Sequence, residues 1–223
     1  MKRSLQCAVG AAAFLFSSGA WAQNFGTRGE FAISAERLFG FVHSSNTTTV
    51  NNVDRTTKYD TFSLLSNPLG GLFSVYGAAR VGADYFVTDG FSVGLALGYD
   101  HVGTSAPNSP DSSLSVFTFA PRAGYAYMFS DVVGIWPRGG ITYMSLSSSN
   151  DGVANSDLGG HQLALTLEAP LVIAPVPHAA FTIGPTFDIG LDGSSDTTVG
   201  NVKVSTDTTQ TAIGVQAGML IYL

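Results

Sequence analysis

Alternation between large apolar residues and small or polar residues is the strongest pattern in the sequence, and it is clearest at residues 209–223. One parity there carries most of the large apolar side chains, namely Ile213, Val215, Ala217, Met219, Ile221 and Leu223. A period of two predicts a β-strand. Because an open apolar edge recruits other chains, this strand is expected to be paired along both edges, as it would be in a closed barrel.

Seven further segments alternate in the same way, so the sequence predicts eight antiparallel strands. The eight segments are 30–42, 72–87, 91–100, 114–129, 134–147, 160–173, 179–191 and 209–223. In the first segment, unbroken alternation would put Arg37 on the apolar face. We therefore expect either a β-bulge or a helical turn over residues 36–39. Pro137 removes one ladder hydrogen bond from the fifth strand and weakens the prediction there.

The connections between the predicted strands alternate in length. Short turns fall at 88–90, 130–133 and 174–177, whereas the polar segments 44–61, 103–113, 148–159 and 192–208 indicate four long loops. Outer-membrane barrels alternate short periplasmic turns with long outer loops in this way. The pattern places both ends of the barrel domain on the periplasmic side.

Eight antiparallel strands with this repeat are typical either of a soluble, lipocalin-like ligand-binding barrel or of a transmembrane barrel. Only 12% of the residues are charged, and the polar faces of the predicted strands consist mainly of Gly, Ala, Ser and Thr. Such a face suits a crowded interior better than a water-facing surface. The apolar face is therefore expected to contact lipid, and aromatic residues near the strand ends are expected to form two girdles. Tyr85, Phe91, Tyr127 and Phe129, together with the aliphatic Ile135, lie near the short turns, and Tyr99, Phe117 and Tyr143 lie near the long loops.

The first 22 residues have the pattern of a secretory signal peptide. Lys2 and Arg3 precede a short apolar stretch over 8–16, and Ala20-Trp21-Ala22 forms a cleavage site. The predicted barrel domain is therefore 23–223. It has no cysteine, because Cys7 is the only one in the sequence, and its charge is 8 − 16 = −8, since 2 of the 10 basic residues leave with the signal. This acidic balance argues against a nucleic-acid partner.

Seven charged residues fall on the small, inward-facing parity of the predicted strands. They are Glu36, Arg80, Asp84, Arg122, Arg138, Glu168 and Asp188. Unpaired charges in a narrow interior would cost several kcal/mol each, so these arginines and carboxylates are expected to pair. The prediction is a lumen filled by salt bridges, with separately hydrated charges in a wet pore as the alternative.

The last eight residues carry a motif that supports a specific resemblance. Gln216 to Leu223 follow the pattern polar-x-Gly-x-x-Ω-x-Ω, where Ω is aromatic or apolar, with Gly218 and Ile221 at two of the defining positions. With the strand pattern, the chain resembles the small eight-stranded outer-membrane barrels of the OmpA/OmpX type over residues 30–223. It departs at Leu223, where that family usually ends in Phe. The resemblance implies location in the outer membrane of a Gram-negative bacterium, with membrane lipids and the barrel assembly machinery as partners.

A filled eight-stranded barrel is too narrow for general diffusion of solutes, which favours a structural or surface-interaction role with an extracellular ligand at the outer loops. The alternatives are a lipid-modifying enzyme, for which His43 and Ser44 are the nearest nucleophile–base pair, and the soluble barrel. His43, His101 and His161 all lie at outer strand ends, yet isolated exposed histidines are favoured over a metal site. No cofactor is expected, because the sequence has no Gly-rich phosphate loop and no cysteine cluster.

Overall fold

The computed structural model describes residues 25–50, 53–64, 78–106, 109–150, 156–199 and 202–223. The predicted signal peptide and residues 72–77 of the second predicted strand lie outside this part of the chain. Twelve strands are present there: β1 (Phe31–Val50), β2 (Val53–Leu64), β3 (Arg80–Phe86), β4 (Phe91–Ala106), β5 (Ser109–Tyr125), β6 (Tyr127–Met128), β7 (Val133–Ile135), β8 (Arg138–Asn150), β9 (Ser156–Glu168), β10 (Leu171–Val176), β11 (Ala179–Val199) and β12 (Val202–Tyr222). Across the described residues, no helix is long and apolar enough to cross a bilayer.

These strands occupy eight wall positions of one antiparallel barrel, because several positions are shared by two short strands. β2 and β3 both pair with β1, while β5 with β6, β7 with β8, and β9 with β10 each continue one another along the wall. The ladder between β1 and β12 closes the barrel, from Ala32 opposite Tyr222 to Thr49 opposite Asp207. The predicted eight-stranded antiparallel barrel is thus confirmed.

The wall is interrupted where proline cannot donate a ladder hydrogen bond. Trp136 and Pro137 separate β7 from β8, and Ala169 and Pro170 separate β9 from β10. The wall holds together at this level through a hydrogen bond that Trp136 N donates to the carbonyl of Pro170 at 2.8 Å. The weak point predicted at Pro137 is therefore a short break between two strands in one wall position.

The prediction of four long outer loops is wrong, because most of those residues extend the strands. β1 continues to Val50 and β2 begins at Val53, and β11 and β12 likewise end and begin at Val199 and Val202. The same is true of β4 and β5 over 103–106 and 109–113, and of β8 and β9 over 148–150 and 156–159. Above a membrane both faces of a strand contact water, so the apolar alternation disappears while backbone pairing and β-branched threonine still favour a sheet.

In the half of the barrel nearer the short turns, the ladders run without a gap around the wall. β3 pairs with β4 from Val81 opposite Leu97 to Phe86 opposite Ser92. Further out, β2 pairs with β1, and no ladder between β2 and β4 occurs among the described residues, which exclude 65–77. The closed half is the part that positions the charged side chains described below.

The two faces of the wall differ as the alternation predicts. On β4, Val93, Leu97 and Tyr99 are 41%, 44% and 68% exposed, whereas Ser92 and Ala96 are fully buried. The seven aromatic residues predicted for the two girdles are exposed on the outside of the barrel, and the accompanying Ile135 is half-buried. A continuous apolar outer face with a buried polar interior is the arrangement of a barrel wall in lipid, and it is unlike the polar exterior of a soluble barrel.

Arg37 lies at a β-bulge, and the alternative of a helical turn is wrong. Ala35 pairs with Met219 and Phe39 with Ala217, so three residues of β1 face only Gly218 of β12. Arg37 has φ of 57°, in the left-handed region. A Cβ at position 218 would come within 3.1 Å of the Cα of Glu36, so the close approach of the bulge requires glycine there.

Candidate functional site in the barrel lumen

The end of the barrel next to the short turns is filled by an apolar group that we call the base cluster: Phe25, Ala32, Phe86, Ala126, Trp136, Val172, Ala174, Ala180, Leu220 and Tyr222. Phe25 lies at its centre, with ring centroids 5.2 Å from Phe86, 5.2 Å from Trp136 and 5.3 Å from Tyr222, all edge to face. Such aromatic pairs add stability beyond their buried area. Residues that precede the first strand therefore close the barrel from below.

A short turn holds Phe25 in this position. Glu30, just before β1, accepts hydrogen bonds at Oε2 from Gly26 N (2.8 Å) and Thr27 N (2.9 Å). Gly90 N in the first short turn donates to Gly26 O at 2.7 Å, and Arg28 N donates to Asp89 Oδ1 at 2.8 Å. Burial raises the pKa of Glu30, and the hydrogen bonds from Thr27 and Gly26 partly oppose that rise.

Above the base cluster lies a network that we call the charged layer: Glu36, Arg37, Arg80, Asp84, Arg122, Arg138, Glu168 and Asp188. All eight are at most 9% exposed. The structure thus brings together all seven residues that the sequence analysis placed in the lumen, and adds Arg37. Because β1, β3, β5, β8, β9 and β11 all contribute, the layer extends across the barrel interior.

Glu36 is one of two central acceptors in the charged layer. Its Oε2 lies 2.9 Å from Arg80 Nε and 2.7 Å from Arg122 Nη1, and its Oε1 lies 2.6 Å from Arg138 Nη1. Ser34 Oγ also donates to Oε1 at 2.8 Å. A carboxylate with this many charged donors has little capacity left for water, since each oxygen offers about two acceptor sites.

Glu168 is the second central acceptor. It pairs with Arg37 (2.9 Å), with Arg138 (2.8 Å) and with Arg80. Arg80 and Arg138 therefore each bridge the two glutamates. Two of the ion pairs in the charged layer join residues that are directly opposite each other on neighbouring strands. Glu36 on β1 is opposite Arg80 on β3, and Arg138 on β8 is opposite Glu168 on β9.

The two aspartates of the charged layer, Asp84 and Asp188, each accept two hydrogen bonds from one arginine. Arg122 donates to both oxygens of Asp84, from Nε at 3.0 Å and Nη2 at 2.5 Å. Arg37 donates to both oxygens of Asp188 at 3.2 and 3.3 Å. Two parallel hydrogen bonds fix the guanidinium plane as well as its charge.

Sequence reasoning assigned three arginines and four carboxylates to the lumen and missed Arg37. The unequal numbers could have indicated it, since with three arginines and four carboxylates one carboxylate would remain without a partner. The bulge turns Arg37 inward against the parity of β1 and makes the count equal. With four arginines and four carboxylates, the charged layer is formally neutral.

The charged layer is connected to the base cluster through Trp136. The guanidinium carbon of Arg138 lies 4.4 Å from the centroid of the indole ring, within the range of a cation–π contact. Trp136 Nε1 also donates to Ser92 Oγ at 3.1 Å. The two layers are therefore packed against each other without a gap at this ring.

On the outer side of the charged layer, the lumen becomes less densely filled. Val42, Val116, Met144, Ala164 and Ala212 form a small apolar cluster. Beyond it lies a cavity of about 290 Å³ between β1, β8, β9, β11 and β12. The lumen thus has a filled inner half and a hollow outer half.

His43 and Ser44, the nearest nucleophile–base pair in the sequence, do not form such a pair in the structure. His43 and Ser44 point to opposite faces of β1, with Ser44 fully buried and His43 Nδ1 2.7 Å from Asp60 Oδ1, so they do not pair with each other. His101 Nδ1 contacts Ser115 Oγ at 2.9 Å. His161 Nδ1 contacts Ser194 Oγ at 3.1 Å, and its Nε2 lies 3.8 Å from Asp192 Oδ2. No group of three or more potential metal ligands is present among the described residues.

The residues of the predicted assembly signal occupy the closing strand. Ile221 and Leu223 are 41% and 52% exposed on the lipid-facing side, whereas Gln216 is buried in the lumen and Gly218 faces the bulge. Recognition of this segment by an assembly machinery stays a prediction.

No protein-family profile matches the sequence, and no curated protein sequence matches it. Among solved structures, the outer membrane protein AlkL is similar, with a TM-score of 0.58, 12% identity, and coverage of 93% of this chain and 96% of that chain. OprG from Pseudomonas aeruginosa gives a TM-score of 0.53 at 11% identity, with 92% and 99% covered. At such identities the likeness concerns the fold alone.

The fold and the apolar outer face together define a class. The chain is a small eight-stranded β-barrel of the outer-membrane type, and the expected resemblance is confirmed at that level. With its lipid-facing wall and buried polar interior, it is a transmembrane protein of the Gram-negative outer membrane.

Proposed function

We propose that this protein is a sealed barrel that presents paired polar strands at the cell surface for a structural or interaction role and does not pass solutes. The observation that carries the proposal is the charged layer. Six wall positions contribute side chains to it, and its members are at most 9% exposed. A solute would have to break several buried ion pairs to pass, which costs several kcal/mol for each charge left unpaired.

The surface part of the proposal rests on the outer extensions of the strands. They are polar and rich in Thr and Ser, and their contacts are among themselves, such as Thr47 Oγ1 to Thr56 Oγ1 at 3.1 Å and Ser205 Oγ to Asp196 Oδ1 at 2.6 Å. Residues 53–58 are all exposed, whereas Tyr59 and Thr61 further along β2 are half-buried. A rigid polar sheet is better suited to presenting a fixed surface than a flexible loop is, because less conformational entropy is lost on binding.

Cysteine labelling in intact cells tests this arrangement, since the only native cysteine lies in the predicted signal peptide. Thr56→Cys in β2 should react with a membrane-impermeant maleimide on whole cells. Ser130→Cys, in the second short turn, is the matched control and should react only after the outer membrane is permeabilised. Labelling of both residues in intact cells, or of neither, would contradict the proposal.

A further inference from the structure

The cavity in the outer half of the lumen has walls of two chemical kinds. Asn46 and Thr48 on β1 and Thr206, Thr208 and Gln210 on β12 form a polar side, continued by Gln162 of β9. Met144, Leu146 and Leu158 form an apolar side. No Lys, Arg, Asp or Glu is among the described residues that line it, and the titratable residue in the lining is His161, whose Nδ1 contacts Ser194 Oγ at 3.1 Å. A cavity without a carboxylate, an ammonium or a guanidinium group disfavours ions, because an ion would lose hydration there without gaining a permanent counter-charge.

The cavity is blind on its inner side. Met144 belongs both to its lining and to the apolar cluster of Val42, Val116, Ala164 and Ala212, below which the charged layer fills the barrel. Thr48 and Thr206, at the other side, lie within four residues of the ends of β1 and β12. Whatever enters this space from the outer end therefore meets a floor.

One polar atom in the lining lacks a partner. Asn46 Oδ1 is buried and accepts no hydrogen bond in the structure. A buried acceptor without a donor is unfavourable, because it has lost its hydrogen bonds to water without replacement. A bound molecule with an O–H or N–H group at this position would remove that cost.

The size of the cavity limits the ligand. Its volume of about 290 Å³ is at the lower end for small-molecule sites and leaves room for several waters. Water could fill the polar side, but water gains little against Met144, Leu146 and Leu158. A molecule with one hydrogen-bonding edge and one apolar edge satisfies both sides.

We propose that the outer cavity binds an uncharged small molecule that donates hydrogen bonds along one edge, to Asn46 and its polar neighbours, and places its apolar edge against Met144 and Leu146. This binding site would extend the surface role proposed above with a small-molecule ligand. It rests on the proposed sealed lumen only because the filled inner half closes the cavity on its inner side.

Methionine-methyl NMR on the protein in lipid nanodiscs provides a direct test. Met128, Met144 and Met219 are the methionines that follow the predicted signal peptide. Met144 lines the cavity, Met128 packs against the base cluster, and Met219 is 47% exposed toward lipid. Hexane-1,2-diol is a suitable probe because it has two donors, an apolar tail and no charge. A molecule with so few heavy atoms should bind with a Kd on the order of millimolar.

The expected result is a saturable shift of the Met144 methyl resonance, with Met128 unchanged and Met219 shifting only linearly as the diol enters the bilayer. Hexanoate should bind at least about tenfold more weakly, because its carboxylate finds no counter-charge. The proposal would be overturned if the Met144 methyl resonance of the folded protein did not shift, or if it shifted only in parallel with that of Met219. Equal binding of hexanoate and the diol would also overturn it.

Asn46→Leu should weaken diol binding about fivefold, the effect of one lost hydrogen bond. Thr47→Leu, the next residue on the same strand but on the outer face, should leave it unchanged. If Asn46→Leu fails to fold, Thr48→Val removes one hydroxyl from the same wall at nearly constant volume and should weaken binding about twofold to fivefold. Equal binding by the wild-type protein and the cavity variant would contradict the assignment. Ion conduction is measured separately, so failure of the sealed barrel and failure of this site remain distinguishable.

Discussion

Arg138 Nη1 lies 2.6 Å from Glu36 Oε1 although 102 residues separate them in the sequence. β8 is not among the strands that pair with β1. The ion pair therefore spans the lumen between two wall positions that are not neighbours. Arg138 also reaches Glu168 on its neighbouring strand at 2.8 Å. The interior of this barrel is therefore cross-linked through ion pairs in addition to the ladders of its wall.

Removing one central acceptor should destabilise the barrel. Glu168→Ala would leave Arg37, Arg80 and Arg138 without one of their carboxylates in a dry interior, and we expect the free energy of unfolding to fall by about 3–5 kcal/mol. Reversible urea unfolding in lipid vesicles measures it. Asp196→Asn, which breaks the exposed pair with Lys203 (3.0 Å), is the control and should leave stability unchanged. Equal stability of wild type and Glu168→Ala would show that the charges are separately hydrated.

The membrane part of the fold follows from the sequence because lipid and lumen impose opposite chemistry on successive residues. The alternation of Phe91, Val93 and Leu95 with Ser92 and Gly94 reflects that difference directly. In the parts of the strands above the membrane this alternation is absent. The paired strands around Thr47 and Thr56 were predicted as loop because water contacts both of their faces.

Phe25 should be essential for the base of the barrel. Phe25→Ala removes the ring at the centre of the base cluster, and we expect the free energy of unfolding to fall by about 3 kcal/mol. Trp136, fully buried and the only tryptophan after the predicted signal peptide, should shift its fluorescence emission to longer wavelength. Phe91→Ala, on the lipid-facing wall, is the matched control and should leave the emission unchanged. An unshifted spectrum in Phe25→Ala would contradict the role given to Phe25.

The attachment of the N-terminal turn should depend on pH through Glu30. Burial raises its pKa above the ordinary value of 4.5, so the folded state binds the proton more tightly than the unfolded state does. The resulting stabilisation is fully present below about pH 4.5 and is lost as the pH rises through the raised pKa. Glu30→Gln has no titrating group at this position. The unfolding free energy of the wild-type protein should therefore fall relative to that of Glu30→Gln as the pH rises across that interval. A difference that is constant from pH 4 to pH 8 would contradict the assignment.

Close packing of β8 against β5 predicts a position at which even one methyl group is not tolerated. A Cβ at Gly140 would lie 2.9 Å from the Cα of Arg122 and would overlap the carbonyl oxygen of Pro121. Gly140→Ala should therefore lower the free energy of unfolding by about 1–3 kcal/mol, as overpacking does. Gly159→Ala is the control, since nothing lies within 4 Å of a Cβ there. Identical urea midpoints for the two variants would show that the wall relaxes freely.

The lumen could be predicted only in part, because parity assigns a side chain to a face but does not indicate where a strand departs from regularity. Arg80, Arg122 and Arg138 follow the parity of their strands and were placed correctly on the inner face. Arg37 enters the lumen through a bulge with φ of 57°, which the alternation signals only as a break. The outer cavity had no sequence signal, since parity indicates which residues face the lumen but not how completely their side chains fill it.

Ion conductance of the purified wild-type protein in planar lipid bilayers tests the central claim, that the charged layer seals the barrel. The structure predicts no steady conductance above that of the bare membrane, because four arginines and four carboxylates occupy the cross-section with at most 9% exposure. Glu168→Ala, assayed beside it, should conduct at least transiently if it remains folded. A large and steady ion current through the wild-type barrel would contradict the account.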